Sequence, residues 1–264
     1  MKKTLIIGYF GFDNFGDEAL LHCLVKDLIK AGFKRENITA LSNNTTLTLT
    51  KHNITSINRW SFIEVFNKLI ENNIVIFTGG LFQDVTSFQS FIYYSLILFI
   101  AKITRKQIVF YGIGLGPFKR KITGLLFNYI VKNIPFISTR DQISASLLHS
   151  SEKPIVSCDP VWSIEVDEKV QKKISSVNWN LPILGVSMKL NPSLKQGLIN
   201  IISDKLVKVV NGMKDWQILL IPCMPAQDLP ILYELYDQLS SKVSDPKKII
   251  ILEDFRRTHP LSNF

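Results

Sequence analysis

The sequence predicts an α/β chain built on parallel sheets, and three observations carry that prediction. Short apolar runs of strand length alternate with longer stretches of helical periodicity, from Leu5 to Leu252. Glycine clusters stand directly after three of the runs, at Gly8 to Gly16, at Gly79 and Gly80, and at Gly112 to Gly116. The composition is globular: of 264 residues, 46% are hydrophobic and 20% charged, which excludes a disordered chain. A chain of this length buries one large core or two modest ones.

The first run, Leu5 to Ile7, reads as a strand. Leu20, Leu21, Leu24, Val25, Leu28 and Ile29 then recur at helix spacing in a helix that begins at Ala19 and stops at Gly32. Between them lies Gly8-Tyr9-Phe10-Gly11-Phe12-Asp13-Asn14-Phe15-Gly16-Asp17-Glu18. Its glycines do not form G-x-G-x-x-G, and no Gly-Lys-Ser/Thr follows, so neither the dinucleotide fingerprint nor the P-loop is present. The loop holds three carboxylates, Asp13, Asp17 and Glu18, and no cation. Such a set repels phosphate but suits sugar hydroxyls, which donate to ionised acceptors. Asp17 and Glu18 equally fit a helix cap, whereas Asp13 stands too early to cap.

Ile38 to Leu41 is the second strand, and Ser42 to Asn53 reads as a polar loop. Phe62, Val65, Phe66, Leu69 and Ile70 make a helical face that leads to the strand Ile74 to Phe77. After that strand, Gly79 and Gly80 permit close backbone approach, and Gln83 and Asp84 add an amide and a carboxylate. Phe88 to Ile103 is hydrophobic nearly all round, as for a helix covered on more than one side. Gln107 to Tyr111 is the next strand, and Gly112, Gly114 and Gly116 follow it, as a ligand loop or as a tight turn.

Leu125 to Val131 continues as helix, and Phe136 to Ser138 as strand. Arg140 follows, able to clamp a carboxylate or phosphate, or to pair with Asp141, which itself can cap a helix from Gln142 to Leu148. Ile155 to Ser157 closes this half, with Asp159 at its end. In a parallel sheet all these strand ends meet on one rim, where such sheets bind ligands. Residues 165–182 are polar and read as an interdomain crossing. Ile183 to Met188, a helix from Pro192 to Asn211, Gln217 to Ile221, a helix from Gln227 to Ser240 and Lys248 to Leu252 begin a second sheet of the same type. The expected domains are therefore 1–164 and 183–264, the second incomplete because few residues follow its last strand.

Cys23, Cys158 and Cys223 are far apart, with no C-x-x-C, which fits a reducing cytoplasm and gives no zinc site. No metal-ligand spacing surrounds the histidines either. The apolar run Phe91 to Ala101 is too short to span a bilayer, for which about 20 residues are needed. The net charge of +9 is spread in short groups without aromatic interleaving, so nucleic acid is not expected. An anionic small substrate or an acidic membrane surface remains a compatible partner.

Gly8 to Ala19 resembles the N-terminal signature of the polysaccharide pyruvyl transferases. Thr78-Gly79-Gly80-Leu81-Phe82-Gln83-Asp84, Gly112-Ile113-Gly114-Leu115-Gly116-Pro117 and Ser138-Thr139-Arg140-Asp141 match its later motifs in order and spacing. The resemblance is close from Lys3 to about Val161. It implies two Rossmann-like domains with parallel sheets, similar to GT-B glycosyltransferases, and transfer of the enolpyruvyl unit of phosphoenolpyruvate onto a sugar as a ketal. The sugar belongs to a cell-surface polysaccharide or its lipid-linked precursor, and no cofactor is needed.

On that resemblance Asp13 and Asp17 are the candidate catalytic carboxylates. Gly11, Asn14, Glu18, Gly79, Gly80, Gln83, Asp84, Gly112, Gly114, Arg140, Asp159 and Lys189 are the candidate substrate-binding positions. Thr78 stands where the family has a third glycine, and Lys189 where it commonly has Arg, which keeps the charge but loses the bidentate fork. Arg257-Thr258-His259 comes too soon after its strand to be given the role of the family's Arg-Leu-His motif. The resemblance places the protein in the cytoplasm, with peripheral association at the inner face of the membrane. A nucleotide-sugar glycosyltransferase and a non-catalytic sugar-binding remnant are the alternatives.

Overall fold

The computed structural model describes residues 2–165, 174, 176–189 and 197–253. The predicted helix start at Pro192 and the Arg257-Thr258-His259 stretch lie outside them. Strand β1 (Thr4–Phe10) is buried at six of its seven residues, and β2 (Ile38–Ser42) and β4 (Ile74–Thr78) are buried throughout. Runs apolar on both faces need cover on both faces, which a parallel sheet with crossover helices supplies. With β3 (Thr55–Asn58), β5 (Gln107–Ile113), β6 (Phe136–Thr139) and β7 (Ile155–Val156) they form a seven-stranded sheet. Its order is β3-β2-β1-β4-β5-β6-β7, and every pair is parallel.

Helix α1 (Phe15–Lys30) packs one face of this sheet, where Leu21, Leu24, Val25 and Leu28 meet Ile6, Ile38 and Ile76. The opposite face carries α3 (Phe62–Glu71), α4 (Phe88–Ile103) and α5 (Lys121–Val131) through Val65, Leu69, Phe91, Leu98, Phe127 and Val131. Phe82 lies inside that layer, its ring 4.7 Å from that of Phe127 and 5.8 Å from those of Phe77 and Phe110. Each such buried side chain contributes about 1.5–3 kcal/mol. The chain winds outward from β1 to β3, then returns to β4 and winds outward the other way to β7. The winding therefore reverses between β1 and β4, and an open α/β sheet has its binding crevice at such a switch point.

Three differences from the sequence-based expectation bear on the site. β1 runs on to Phe10 and α1 starts at Phe15 rather than Ala19, so the loop between them contracts to Gly11 to Asn14. The segment read as a polar loop contains α2 (Thr45–His52). It is defined by its ends: Asn44 accepts from the Leu47 N–H at 3.0 Å, and Asn53 terminates it with φ 50°. Finally, α4 is covered on one side only, for Phe88, Ile92, Leu96, Phe99 and Ile103 are exposed.

The chain divides into two compact units. One comprises Met1–Phe12 and Gly16–Ile164, the other Asp13–Phe15 and Glu165–Phe264. The second unit carries β8 (Ile183–Val186), β9 (Gln217–Leu220) and β10 (Ile249–Ile251) as a parallel sheet in the order β10-β9-β8. Its core forms where Val210 of α6 (Leu198–Asn211) and Leu232, Leu235 and Leu239 of α7 (Pro225–Ser240) meet Ile218 and Leu220. Pro225 starts α7 without needing an N–H, and Asp228 turns back to accept the Met224 N–H at 2.6 Å.

Candidate functional site

All seven strands of the first sheet run the same way, so the segments after β1, β4, β5, β6 and β7 leave from one edge. At the end of β4, Gly79 has φ +85°, and the Asp17 carboxylate of α1 lies 3.5 Å from where its β-carbon would stand. The Gly114 N–H donates to the Gly79 carbonyl at 3.1 Å, and the Gly116 N–H to the Phe82 carbonyl at 2.9 Å. These bonds zip the loops after β4 and β5 together. Over them lies Arg140, from the end of β6. Its Nη2 is 4.0 Å from the β-carbon position of Gly80, and its Nε and Nη2 are 2.7 Å from that of Gly114.

Two carboxylates hold the other side of the guanidinium. Asp159 Oδ2 is 3.2 Å from Nη1, and Asp141 Oδ2 is 3.8 Å from Nε. Both carboxylates also cap local structure: Asp141 accepts the Ser144 N–H at 2.6 Å and Asp159 the Val161 N–H at 3.1 Å. Arg140 is thus fixed in plane while 38% of its side chain stays exposed. A planar, charged fork held against a glycine surface is suited to a carboxylate or phosphate. Asp17, Gly79, Gly80, Gly114, Arg140 and Asp159 are thereby gathered on one rim, next to the switch point. Gln83 stands beside them, its amide 3.4 Å from the Gly80 carbonyl.

Four expected binding positions do other work. Glu18 is 1% exposed; its Oε1 accepts the Gly11 N–H at 2.8 Å, and its Oε2 is 2.8 Å from His52 Nε2. Burial pushes its carboxyl up, but the His52 hydrogen bond and charge and the Gly11 N–H together hold it below the usual range. It pins the β1 loop to α2 instead of facing a ligand. Asp84, in the loop after β4, is likewise buried and accepts the N–H groups of Lys119 and Arg120 and the Thr123 hydroxyl, so it ties that loop to the start of α5.

The other two are glycines. A β-carbon on Gly11, where φ is +75°, would stand 2.2 Å from Ser42 Oγ, so this glycine lets the ends of β1 and β2 pass closely. On Gly112, where φ is +53°, it would meet the Pro160 ring at 2.5 Å. Asp13 and Asn14 belong to the short segment that groups with the second unit, and Asp13 holds φ 60°, the left-handed region rarely adopted by non-glycine residues. Lys189 is exposed, beyond β8 in that second unit.

One residue escaped the sequence reading. Arg59, just after β3, is 3% exposed, and its guanidinium carbon lies 5.0–5.6 Å from the ring centres of Tyr9, Phe12, Trp60, Tyr93 and Tyr94. Burial pushes the phenols of Tyr9, Tyr93 and Tyr94 up, against the opposing charge of Arg59, so all three stay neutral around the cation. The rings come from three separated stretches, so no local spacing announces the cage.

A family model described as polysaccharide pyruvyl transferase matches residues 14–257. No curated protein sequence matches the chain. Among solved structures, Staphylococcus aureus MnaA with UDP aligns at TM-score 0.60 and 14% identity, covering 97% of this chain and 71% of that one. A UDP-GlcNAc 2-epimerase from Neisseria meningitidis bound to UDP-GlcNAc aligns at 0.57 and 14%, covering 95% and 72%. A glycosyltransferase from Rickettsia africae aligns at 0.52 and 17%, covering 95% and 68%. These likenesses establish a fold of the GT-B type, with two parallel-sheet α/β units.

Proposed function

Because the chain belongs to the polysaccharide pyruvyl transferase family, we propose that it transfers the enolpyruvyl unit of phosphoenolpyruvate to a sugar as a ketal. The observation that carries this reading is the fixed Arg140 fork on its glycine surface, beside the Asp17 carboxylate. One reactant is a polyanion and the other a polyol, and the rim offers one group suited to each.

In this reading the acceptor hydroxyls donate to Asp17 and to the Gln83 amide oxygen, with Asp13 the other candidate carboxylate. Two hydroxyl oxygens bond to C2 of the enolpyruvyl group, its methylene gains a proton to become a methyl, and inorganic phosphate leaves. Asp13 or Asp17 accepts a proton from an attacking hydroxyl. Arg140 is the cation assigned to the carboxylate or phosphate of the donor. The chemistry calls for no cofactor. The acceptor is a sugar of a cell-surface polysaccharide or of its lipid-linked precursor, and the reaction belongs in the cytoplasm, where phosphoenolpyruvate is made.

The test is phosphorus and carbon NMR of the purified chain with phosphoenolpyruvate and a panel of glycosides. Phosphate release coupled to a new ketal carbon supports the reading. Turnover of a nucleotide sugar in place of phosphoenolpyruvate overturns it.

A further inference from the structure

We propose that the outer face of α3, α4 and α5 is a docking surface for an anionic lipid membrane. Of the six exposed positions on α4, five are large and apolar: Phe88, Ile92, Leu96, Phe99 and Ile103. Their spacing of four, four, three and four residues makes one stripe along a 16-residue helix. Beside it α5 exposes Leu125 and Tyr129 by 71% and 74%, and α3 exposes Ile63 by 79%. The three helices form one layer, strapped together at its end: Lys102 Nζ donates to the Ile130 carbonyl of α5, and Lys106 Nζ to the Ile70 carbonyl of α3, both at 2.6 Å. An apolar face this continuous marks an interaction surface rather than ordinary solvent-exposed protein.

Charge selects the partner. From Val85 to Thr139, which includes α4 and α5, the sequence contains no Asp or Glu and seven Lys or Arg; α3 adds the exposed Glu64 and Glu71, the latter paired with Lys3 and Lys68. The seven cations stand at the ends of the apolar layer, with Lys119 and Lys121 exposed at one end and Arg105 and Lys132 exposed at the other. Arg120 lies with its guanidinium carbon 4.4 Å from the ring centre of the half-exposed Phe88. A second copy of the chain seated face to face would bring two such cation sets together. An anionic bilayer matches both parts, taking the side chains of the stripe between its headgroups and the lysines onto them. Among the described residues no helix is long and apolar enough to cross a membrane, so the layer lies on the surface. This docking does not depend on the proposed transfer reaction, because binding needs no turnover.

The experiment is co-sedimentation of the full chain with vesicles of phosphatidylglycerol and phosphatidylcholine, compared with phosphatidylcholine alone. Binding is expected only to the anionic vesicles, weakening as salt rises. The double variant Leu96→Glu/Phe99→Glu should lower the bound fraction at least about tenfold with an unchanged circular dichroism spectrum. Lys121→Glu/Lys132→Glu should also weaken binding, and provides the test should the first variant fold poorly. The proposal is overturned by no binding to anionic vesicles, or by binding that neither pair of substitutions reduces. It is also overturned if light scattering shows a dimer that the α4 substitutions dissociate, since the face then belongs to a second copy.

Discussion

The guanidinium of Arg140 occupies the place that a side chain on residue 114 would need: its Nε and Nη2 stand 2.7 Å from the missing β-carbon of Gly114. The displaced group is the far end of a flexible side chain, so Gly114→Ala should cost little stability while moving the guanidinium off its plane. Misplacing a positioned group by about 1 Å costs on the order of 10²-fold in rate. A thermal melt and phosphate-release kinetics on the variant check this. A normal rate would show that Arg140 holds no substrate.

Gly112, two residues earlier, should behave in the opposite way. Its φ of +53° and the Pro160 ring 2.5 Å from its β-carbon position leave no soft neighbour to yield. Gly112→Ala is expected to lose about 1–3 kcal/mol of stability, read as a shift in urea midpoint. Any loss of activity should follow the fraction unfolded.

Glu18 predicts an acid-sensitive first unit. Its carboxyl titrates below its ordinary 4.5 in the folded chain, so the stabilisation is complete above that pH. It is lost as pH falls through the lower, folded value. Urea midpoints from pH 7 down to pH 3 should therefore drop less in Glu18→Gln than in the parent chain. Glu18→Ala, which leaves the Gly11 N–H and the buried His52 ring nitrogen without their acceptor carboxylate, should cost about 1–3 kcal/mol at pH 7.

Asp17 should divide binding from folding. It sits in the first turn of α1, only partly buried, where a carboxylate contributes about 0.3–1 kcal/mol to the helix. Asp17→Asn should leave the melting temperature within a few degrees while lowering affinity for an acceptor glycoside about tenfold, the worth of a charged hydrogen bond. Calorimetry with a panel of glycosides measures it. An unchanged affinity would remove Asp17 from the acceptor site.

Element type could be read from the sequence wherever an apolar pattern was present, as in α1, α3 and β4. It failed at α2, whose Thr-Thr-Leu-Thr-Leu-Thr-Lys-His has little apolar periodicity and is set by Asn44 and Asn53 at its ends. The rim was legible because parallel strand ends share an edge. The roles of single residues on it were not. Glu18 and Asp84 look like ligand carboxylates until the N–H groups that fill them, seven and more than thirty residues away, are in place. Gly112 and Gly114 are indistinguishable in sequence, and only the neighbours above each one separate them.

The cage around Arg59 links distant parts of the first unit. Tyr9 and Phe12 bracket the end of β1, Trp60 follows β3, and Tyr93 and Tyr94 belong to α4, yet all five rings close on one guanidinium. The Tyr93 hydroxyl also donates to the Arg59 carbonyl at 2.7 Å, and the Tyr94 hydroxyl to that of Gly8 at 3.2 Å. One buried cation therefore ties the end of β1, the end of β3 and α4 to one another, and Arg59→Met should lower the melting temperature of the chain, read by a thermal melt.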